Sequence, residues 1–260
     1  MIRQRPDRRQ PDLPPFVLLH GGRHGGWCWR RVARRLRARG HEVYAPTLTG
    51  VGERAHLLGP EIGLDTHIED VVGVFEFEDI HDAVFVAHSY GGMPATGAME
   101  RVAERVRTLV YLDALMPRSG QSLLDVLDDR GREMMTAAAA RGDGWFVPVG
   151  DASEWGVTDP VDAAWVNGKI TAQPFKTLCD PVGPAERAWA HPAAFIECRP
   201  STPFPLDNPR ARLSSASPYE YRVIEGAHDV MVTAPGQVTD LLLEVSGLQG
   251  VADPARCLAR

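Results

Sequence analysis

Lysine is nearly missing from this chain: of 28 basic residues only Lys169 and Lys176 are lysine, and the rest are arginine. Basic charge is not in surplus, since the formal net charge is −6. That balance weighs against nucleic acid as a partner. The arginine preference reflects GC-rich coding rather than chemistry. Long hydrophobic runs are missing too. Stretches such as Phe16-Val17-Leu18-Leu19 are strand-sized, far short of the roughly 18 apolar residues of a membrane span. Cysteine is sparse: Cys28, Cys179, Cys198 and Cys257 are widely spaced with no CxxC pattern. This excludes a disulfide framework or a zinc ribbon, and no metal or other cofactor is expected. The first ten residues carry arginines but no apolar core, so a signal peptide is not expected and the cytoplasm is the expected compartment.

What the chain does have is a core. With 260 residues, 44% of them hydrophobic, disorder is excluded and one large α/β domain or two small ones fit. Phe16 to His20 reads as a buried strand ending in Gly21-Gly22. Trp27 to Arg39 reads as a helix, with Trp29, Val32, Ala33 and Leu36 on its inner face and arginines outside. A strand from His41 to Ala45, a helix from Asp65 to Ile80, a strand from Asp82 to His88, a helix from Ser89 to Glu104 and a strand from Val106 to Leu112 follow. Such alternation predicts a parallel sheet with helices on both faces. It fails between about Leu115 and Ala190, where Gly, Asp and Pro interrupt helical pieces and Trp145, Trp155, Trp165 and Trp189 fall. It resumes with strands Ala193 to Arg199 and Tyr219 to Glu225 and a helix from Pro235 to Ser246. The expected organisation is an N-terminal arm (1–15), a core (16–114 and 191–248) carrying an inserted cap (115–190), and a tail (249–260).

The strongest chemical signal is Ala87-His88-Ser89-Tyr90-Gly91-Gly92, an apolar strand running into a serine and then a helix. This is the G-x-S-x-G elbow with Ala87 for the first glycine. Small residues two positions either side of the serine relieve crowding at a sharp, strained turn. At a helix N-terminus Ser89 would also face unpaired N–H groups that favour an oxyanion. A serine needs a base, and His228 in Gly226-Ala227-His228-Asp229 follows the last strand, on the edge of the sheet where ligands bind. His88, next to the serine, reads as packing. The third member would orient the imidazole. Asp113 closes the strand after the elbow, where a carboxylate needs a partner; Asp207, beyond the next strand, is the alternative acid. Two N–H donors for an oxyanion are expected from Tyr90 and from Gly22 in the first loop.

With these residues the chain resembles the α/β-hydrolases, and within them the branch of methylesterases, hydroxynitrile lyases and bacterial esterase relatives. The stretches His20-Gly21-Gly22-Arg23-His24-Gly25-Gly26-Trp27-Cys28-Trp29, Thr47-Leu48-Thr49-Gly50-Val51-Gly52-Glu53-Arg54, the elbow and Gly226-Ala227-His228 carry the likeness. It implies a mostly parallel sheet flanked by helices, with a helical cap inserted after the strand that follows the elbow. It also implies Ser89 as nucleophile, His228 as base, and Gly22 and Tyr90 as oxyanion donors. In the plant members the acid follows the penultimate strand, and this sequence has none where that loop begins. Some lipases and dehalogenases place it where Asp113 falls. Lyases of the branch carry a threonine in the first loop and a lysine after the histidine. Here those positions hold Gly21 and Asp229, which disfavours cyanide release.

The expected activity is hydrolysis of an apolar or aromatic carboxylic ester through an acyl-enzyme. Gly21, Met93, Trp145 and Trp165 are the expected substrate contacts, and the partner is a small molecule rather than a membrane. A tailoring enzyme of secondary metabolism, using the same pocket for lactonisation, ring opening or elimination, is the alternative. A ligand-binding protein on the same fold is a third reading. Oligomeric state is not legible in the sequence.

Overall fold

The computed structural model describes residues 13–200 and 219–247. Six strands form one sheet: β1 (Phe16–Leu19), β2 (Val43–Tyr44), β3 (Ala83–His88), β4 (Val106–Leu112), β7 (Ala193–Arg199) and β8 (Tyr219–Glu225). They stand in the order β2-β1-β3-β4-β7-β8, and every pairing is parallel. Two-residue strands β5 (Phe146–Val147) and β6 (Gln173–Pro174) pair antiparallel apart from it.

Alternate residues of each strand serve opposite faces. Val17, Leu19, Phe85, Ala87, Leu109 and Tyr111 pack beneath α2 (Leu64–Phe77) and α3 (Gly92–Val102), against Val71, Phe75 and Met99. Phe16, Leu18, Val84, Val86, Val110 and Leu112 face the other way, toward α1 (Arg30–Ala38) and the helix Pro235–Val245. The central strands are therefore apolar except for Arg107, Thr108 and the terminal His88, as a sheet covered on both faces requires.

Three expected boundaries moved. The helix expected from Trp27 opens as a 3-10 turn, Gly26–Trp29, before α1 begins. The strand expected over His41 to Ala45 is only Val43–Tyr44. At the sheet edge its pairing with β1 covers two residues, and His41 turns inward to bond the Pro14 carbonyl at 2.9 Å. The helix expected at Ser89 starts as a 3-10 turn, Ser89–Gly91.

Between β4 and β7 the chain forms short helices whose starts are written in the sequence. Ser122 and Asp125 make a capping box, Asp128 caps Asp129–Ala140, and Asp159 caps Pro160–Asn167 with proline in the first turn. Leu123, Val126 and Leu127 of this stretch join one core, while Ala152, Trp155 and Val166 join the other. Among the described residues no helix is long and apolar enough to cross a membrane.

Candidate active site

The chain leaves β1 toward β2 on one side and later returns to β3 on the other, so the loops after β1 and β3 diverge and open a crevice at the strand ends. Ser89 follows β3 immediately with φ +52°, and Asp113 follows β4 immediately with φ +46°. Because His88 pairs with Leu112, these two left-handed residues sit at neighbouring strand ends. Such a conformation costs of order 1–3 kcal/mol in a non-glycine residue, and the surrounding packing must hold it. Glycine makes the turn possible. A Cβ on Gly91 would lie 2.6 Å from the His20 carbonyl oxygen, and one on Gly21 would lie 2.8 Å from the Ser89 Cβ.

His228, on the loop after β8, turns its Nδ1 to the Asp113 carboxylate, with Oδ2 2.6 Å away and both side chains buried. A carboxylate only accepts, so Nδ1 carries the proton and Nε2 is left as the basic nitrogen. Asp113 is itself held from β7: its Oδ1 accepts from the Cys198 N–H at 3.2 Å and its own N–H donates to the Ile196 carbonyl at 2.7 Å. Asp207, the alternative acid, lies outside the described residues. His88 does more than pack. Its Nε2–H donates to the His228 carbonyl at 3.0 Å, and its ring centroid lies 4.5 Å from that of His228. Burial, then the nearby His228, push the His88 pKa well down, so it stays neutral.

The first loop is fixed by its neighbours. His20 donates through Nδ1 to the Gly21 carbonyl at 2.7 Å, while its Nε2 accepts from the Leu48 N–H at 3.1 Å. That pattern selects the neutral Nδ1–H tautomer, and burial pushes the His20 pKa down to about 3. The Gly21–Gly22 peptide is planar and trans, so holding the Gly21 carbonyl aims the Gly22 N–H the opposite way. Gly22 and Tyr90 are adjacent: a Cβ on Gly22 would lie 3.6 Å from the Tyr90 Cβ. The Tyr90 hydroxyl donates to His67 Nδ1 at 2.8 Å, and His67 Nε2–H donates to the Thr49 carbonyl at 2.8 Å. Burial pushes His67 down to about 4 and Tyr90 upward, so both are neutral anchors.

Ser89, Asp113 and His228 open onto one cavity of about 80 Å³ with Gly22 and Tyr90. Its apolar wall is Leu115, Leu123, Leu127, Met135, Val147 and Leu178, and its remaining lining is Arg23, Trp155 and Gln173. The expected substrate contacts do not coincide with that wall. Met93 is fully buried in the core, and Gly21 lies beneath Ser89. Trp165 packs edge-on against Trp27 at 5.2 Å, and Trp145 packs on Phe146 at 4.8 Å. Trp155 is the tryptophan of this stretch that reaches the cavity. Arg23 lies over its ring at 4.4 Å and pairs with Glu154 at 3.0 Å. Gln173 accepts from the Arg23 N–H at 2.9 Å, a contact spanning the chain that no local pattern announces. Asp229, the residue after His228, is fully buried against His24. Among the described residues no group of three or more His, Cys, Asp or Glu side chains is placed to hold a metal ion.

Comparison with known proteins bears on the fold and the family. A family model described as "Alpha/beta hydrolase family" matches residues 16–241. A carbendazim hydrolyzing esterase of Nocardioides sp. is 37% identical over 87% of this chain and 97% of its own length. Salicylic acid-binding protein 2 of Nicotiana tabacum is 27% identical over 89% of this chain and 96% of its own. Among solved structures, an extracellular α/β-hydrolase from a Paenibacillus species superposes with a TM-score of 0.75 at 20% identity, covering 90% of this chain and 99% of that one.

Proposed function

The chain belongs to the alpha/beta hydrolase family, and on that footing we propose that it hydrolyses a carboxylic ester through an acyl-enzyme on Ser89. The observation that carries the reading is the buried His228–Asp113 contact of 2.6 Å opening onto the same cavity as Ser89. The Nocardioides relative named as a carbendazim hydrolyzing esterase supports the ester as the bond broken.

In this mechanism Ser89 Oγ attacks the ester carbonyl carbon and its proton passes to His228 Nε2. Asp113 keeps Nδ1 protonated and offsets the charge of the imidazolium. The carbonyl oxygen becomes an oxyanion and takes hydrogen bonds from the Gly22 and Tyr90 amides. Among the described residues neither amide is spent on a partner outside its own turn. Collapse breaks the carbon–oxygen bond, and the proton on Nε2 leaves with the alcohol. Water then attacks the acyl-enzyme, gives a proton to His228, and the second collapse returns it to Ser89 Oγ and releases the acid. Ester and water thus become acid and alcohol with no external redox partner. The segment 115–190 acts as a cap whose leucines, Val147 and Trp155 receive the apolar part of a small ester.

Intact-protein mass after exposure to a fluorophosphonate tests the nucleophile. One phosphonyl adduct in the wild type, absent in Ser89→Ala, is expected. A wild-type protein that stays unlabelled while turning over p-nitrophenyl acetate overturns the reading. Hydrolysis in ¹⁸O-labelled water should place one solvent oxygen in the acid, and carbendazim and methyl esters are the first substrates to assay.

A further inference from the structure

A buried ion pair next to the site has no part in that mechanism. Asp229, the residue after His228, is fully buried, and His24 is nearly so. His24 Nε2 lies 2.9 Å from Asp229 Oδ2, and His24 Nδ1 lies 2.8 Å from the Gly22 carbonyl oxygen. A carbonyl and a carboxylate are both acceptors, so contacts at both ring nitrogens require two protons in the His24–Asp229 pair. The ring is set between two indoles: Trp27 stacks on it at 5.3 Å and Trp155 meets it edge-on at 4.9 Å. A cationic imidazolium suits the stacked aromatic face. Asp229 Oδ1 has no hydrogen-bond partner among the described residues, so the His24 contact is what holds the carboxylate. The Asp229 N–H donates to the Trp155 carbonyl at 3.2 Å.

We infer that His24 and Asp229 are positioning residues that lock the oxyanion loop to the loop carrying His228. The chain of contacts runs from His228 to its neighbour Asp229, through His24, to the Gly22 carbonyl. Two peptide planes flank Gly22. His20 holds the one carrying the Gly22 N–H. The next plane is held at its carbonyl by His24 and at the Arg23 N–H by Gln173. Releasing the Gly22 carbonyl leaves the second plane held only at the Arg23 N–H, and the slack passes through the Gly22 Cα that both planes share to loosen the aim of the Gly22 N–H at the developing oxyanion. Asp229 transmits the same constraint to the base, so donor and base keep one relative position. The charged and titratable groups facing the pair are Arg23 and His20 on the first loop, Cys28 on the turn after it, His88 and His228 from the strand ends, and Cys198 from β7.

This inference rests on Ser89 being the nucleophile, so the test carries Ser89→Ala as a control. His24→Gln has a single donor nitrogen and can reach Gly22 or Asp229 but not both; Asp229→Asn keeps an acceptor and removes the charge. With p-nitrophenyl acetate, His24→Gln is expected to lower kcat by roughly 10²–10³, the loss that follows removal of one oxyanion donor, with KM within about threefold. Binding of a phenyl trifluoromethyl ketone, which forms a tetrahedral oxyanion on serine, should weaken in parallel with kcat/KM. A folded His24→Gln enzyme with kcat within about threefold of wild type overturns the inference, as does a loss confined to KM. If Ser89→Ala keeps full turnover, the proposed function fails instead. Should the variants not fold, ¹⁵N-edited NMR of the wild-type protein decides near neutral pH. Protons on both His24 nitrogens support the inference, and a bare Nδ1 overturns it.

Discussion

Replacing Asp113 by asparagine removes one charge and almost nothing else. Asparagine is among the residues that best tolerate the left-handed φ of +46° found at this position. Its side-chain oxygen can still accept from the Cys198 N–H, as Asp113 Oδ1 does at 3.2 Å. What changes is the 2.6 Å contact to His228 Nδ1, where an amide NH₂ now stands opposite the ring nitrogen. Two donors cannot face one another, so Nδ1 must become the acceptor and the proton moves to Nε2. The nitrogen meant to receive the serine proton is then already protonated. A tautomer swap of this kind in a Ser-His-Asp triad costs roughly 10⁴ in kcat, which corresponds to about 5 kcal/mol of transition-state stabilisation. Substrate binding does not use the tautomer, so KM should hold. Loss of one charge-assisted hydrogen bond costs about 1–3 kcal/mol of stability, so the variant should remain folded at room temperature. The assay is steady-state hydrolysis of p-nitrophenyl acetate beside a thermal melt, with Asp207→Asn in parallel. A folded Asp113→Asn enzyme within tenfold of wild-type kcat refutes the reasoning. A large loss in Asp207→Asn alone moves the acid to that residue.

Three further outcomes follow from the same geometry. Gly21→Ala sets a Cβ 2.8 Å from the Ser89 Cβ, so one of them must shift; kcat should fall at least tenfold, and unchanged turnover would show that the loop yields freely. Met135 is half-buried in the cavity wall, so Met135→Trp should lower kcat/KM for p-nitrophenyl octanoate more than for the acetate while the melting temperature holds; an equal effect on both esters would count against this wall as the acyl site. For His24, burial alone would lower the pKa, but the charge and hydrogen bond of Asp229 outweigh it and hold His24 above 6.5. For Asp229, burial alone would raise the pKa, but His24 outweighs it and holds the carboxylate below 3.8. The stabilisation from the pair is therefore complete between those two values; it is lost as pH rises through the raised His24 pKa and as pH falls through the lowered Asp229 pKa. Urea unfolding of wild type and His24→Gln should differ most near pH ~5 and converge in alkali; a difference that grows with pH would reverse the assignment.

The net charge of −6 says little about the site. The arginines along α1 face outward: Arg31 pairs with Asp162 at 2.5 Å, and Arg39, just past the helix, pairs with Asp240 at 2.9 Å. The proposed chemistry instead rests on a few buried groups whose protonation is set by neighbours distant in the chain.

Local patterns were enough to place the strands of the main sheet, because a fully buried parallel strand must be apolar, as Phe16–Leu19 is throughout and Ala83–His88 is up to its last residue. They were enough to single out Ser89 as well: only a small residue fits at Gly91, where a Cβ would strike the His20 carbonyl. Asp113 stood out as a carboxylate closing an apolar strand, and its contact with His228, across 115 positions, came with the parallel order of β4, β7 and β8. Periodicity could not choose among the tryptophans. Whether Trp145, Trp155 or Trp165 meets the cavity depends on how the segment between β4 and β7 lies over the sheet, and residues from that segment enter both cores. Nor could it show that Asp229 grips His24 or that Gln173 holds the Arg23 amide, contacts 205 and 150 positions apart. Sequence by itself determined the strands of the main sheet and the proposed reactive residues, because backbone sterics and burial act over a few neighbouring positions. The tertiary structure alone decided the cavity wall and the bonds that aim the first loop, because those partners meet only when separate stretches of chain pack together.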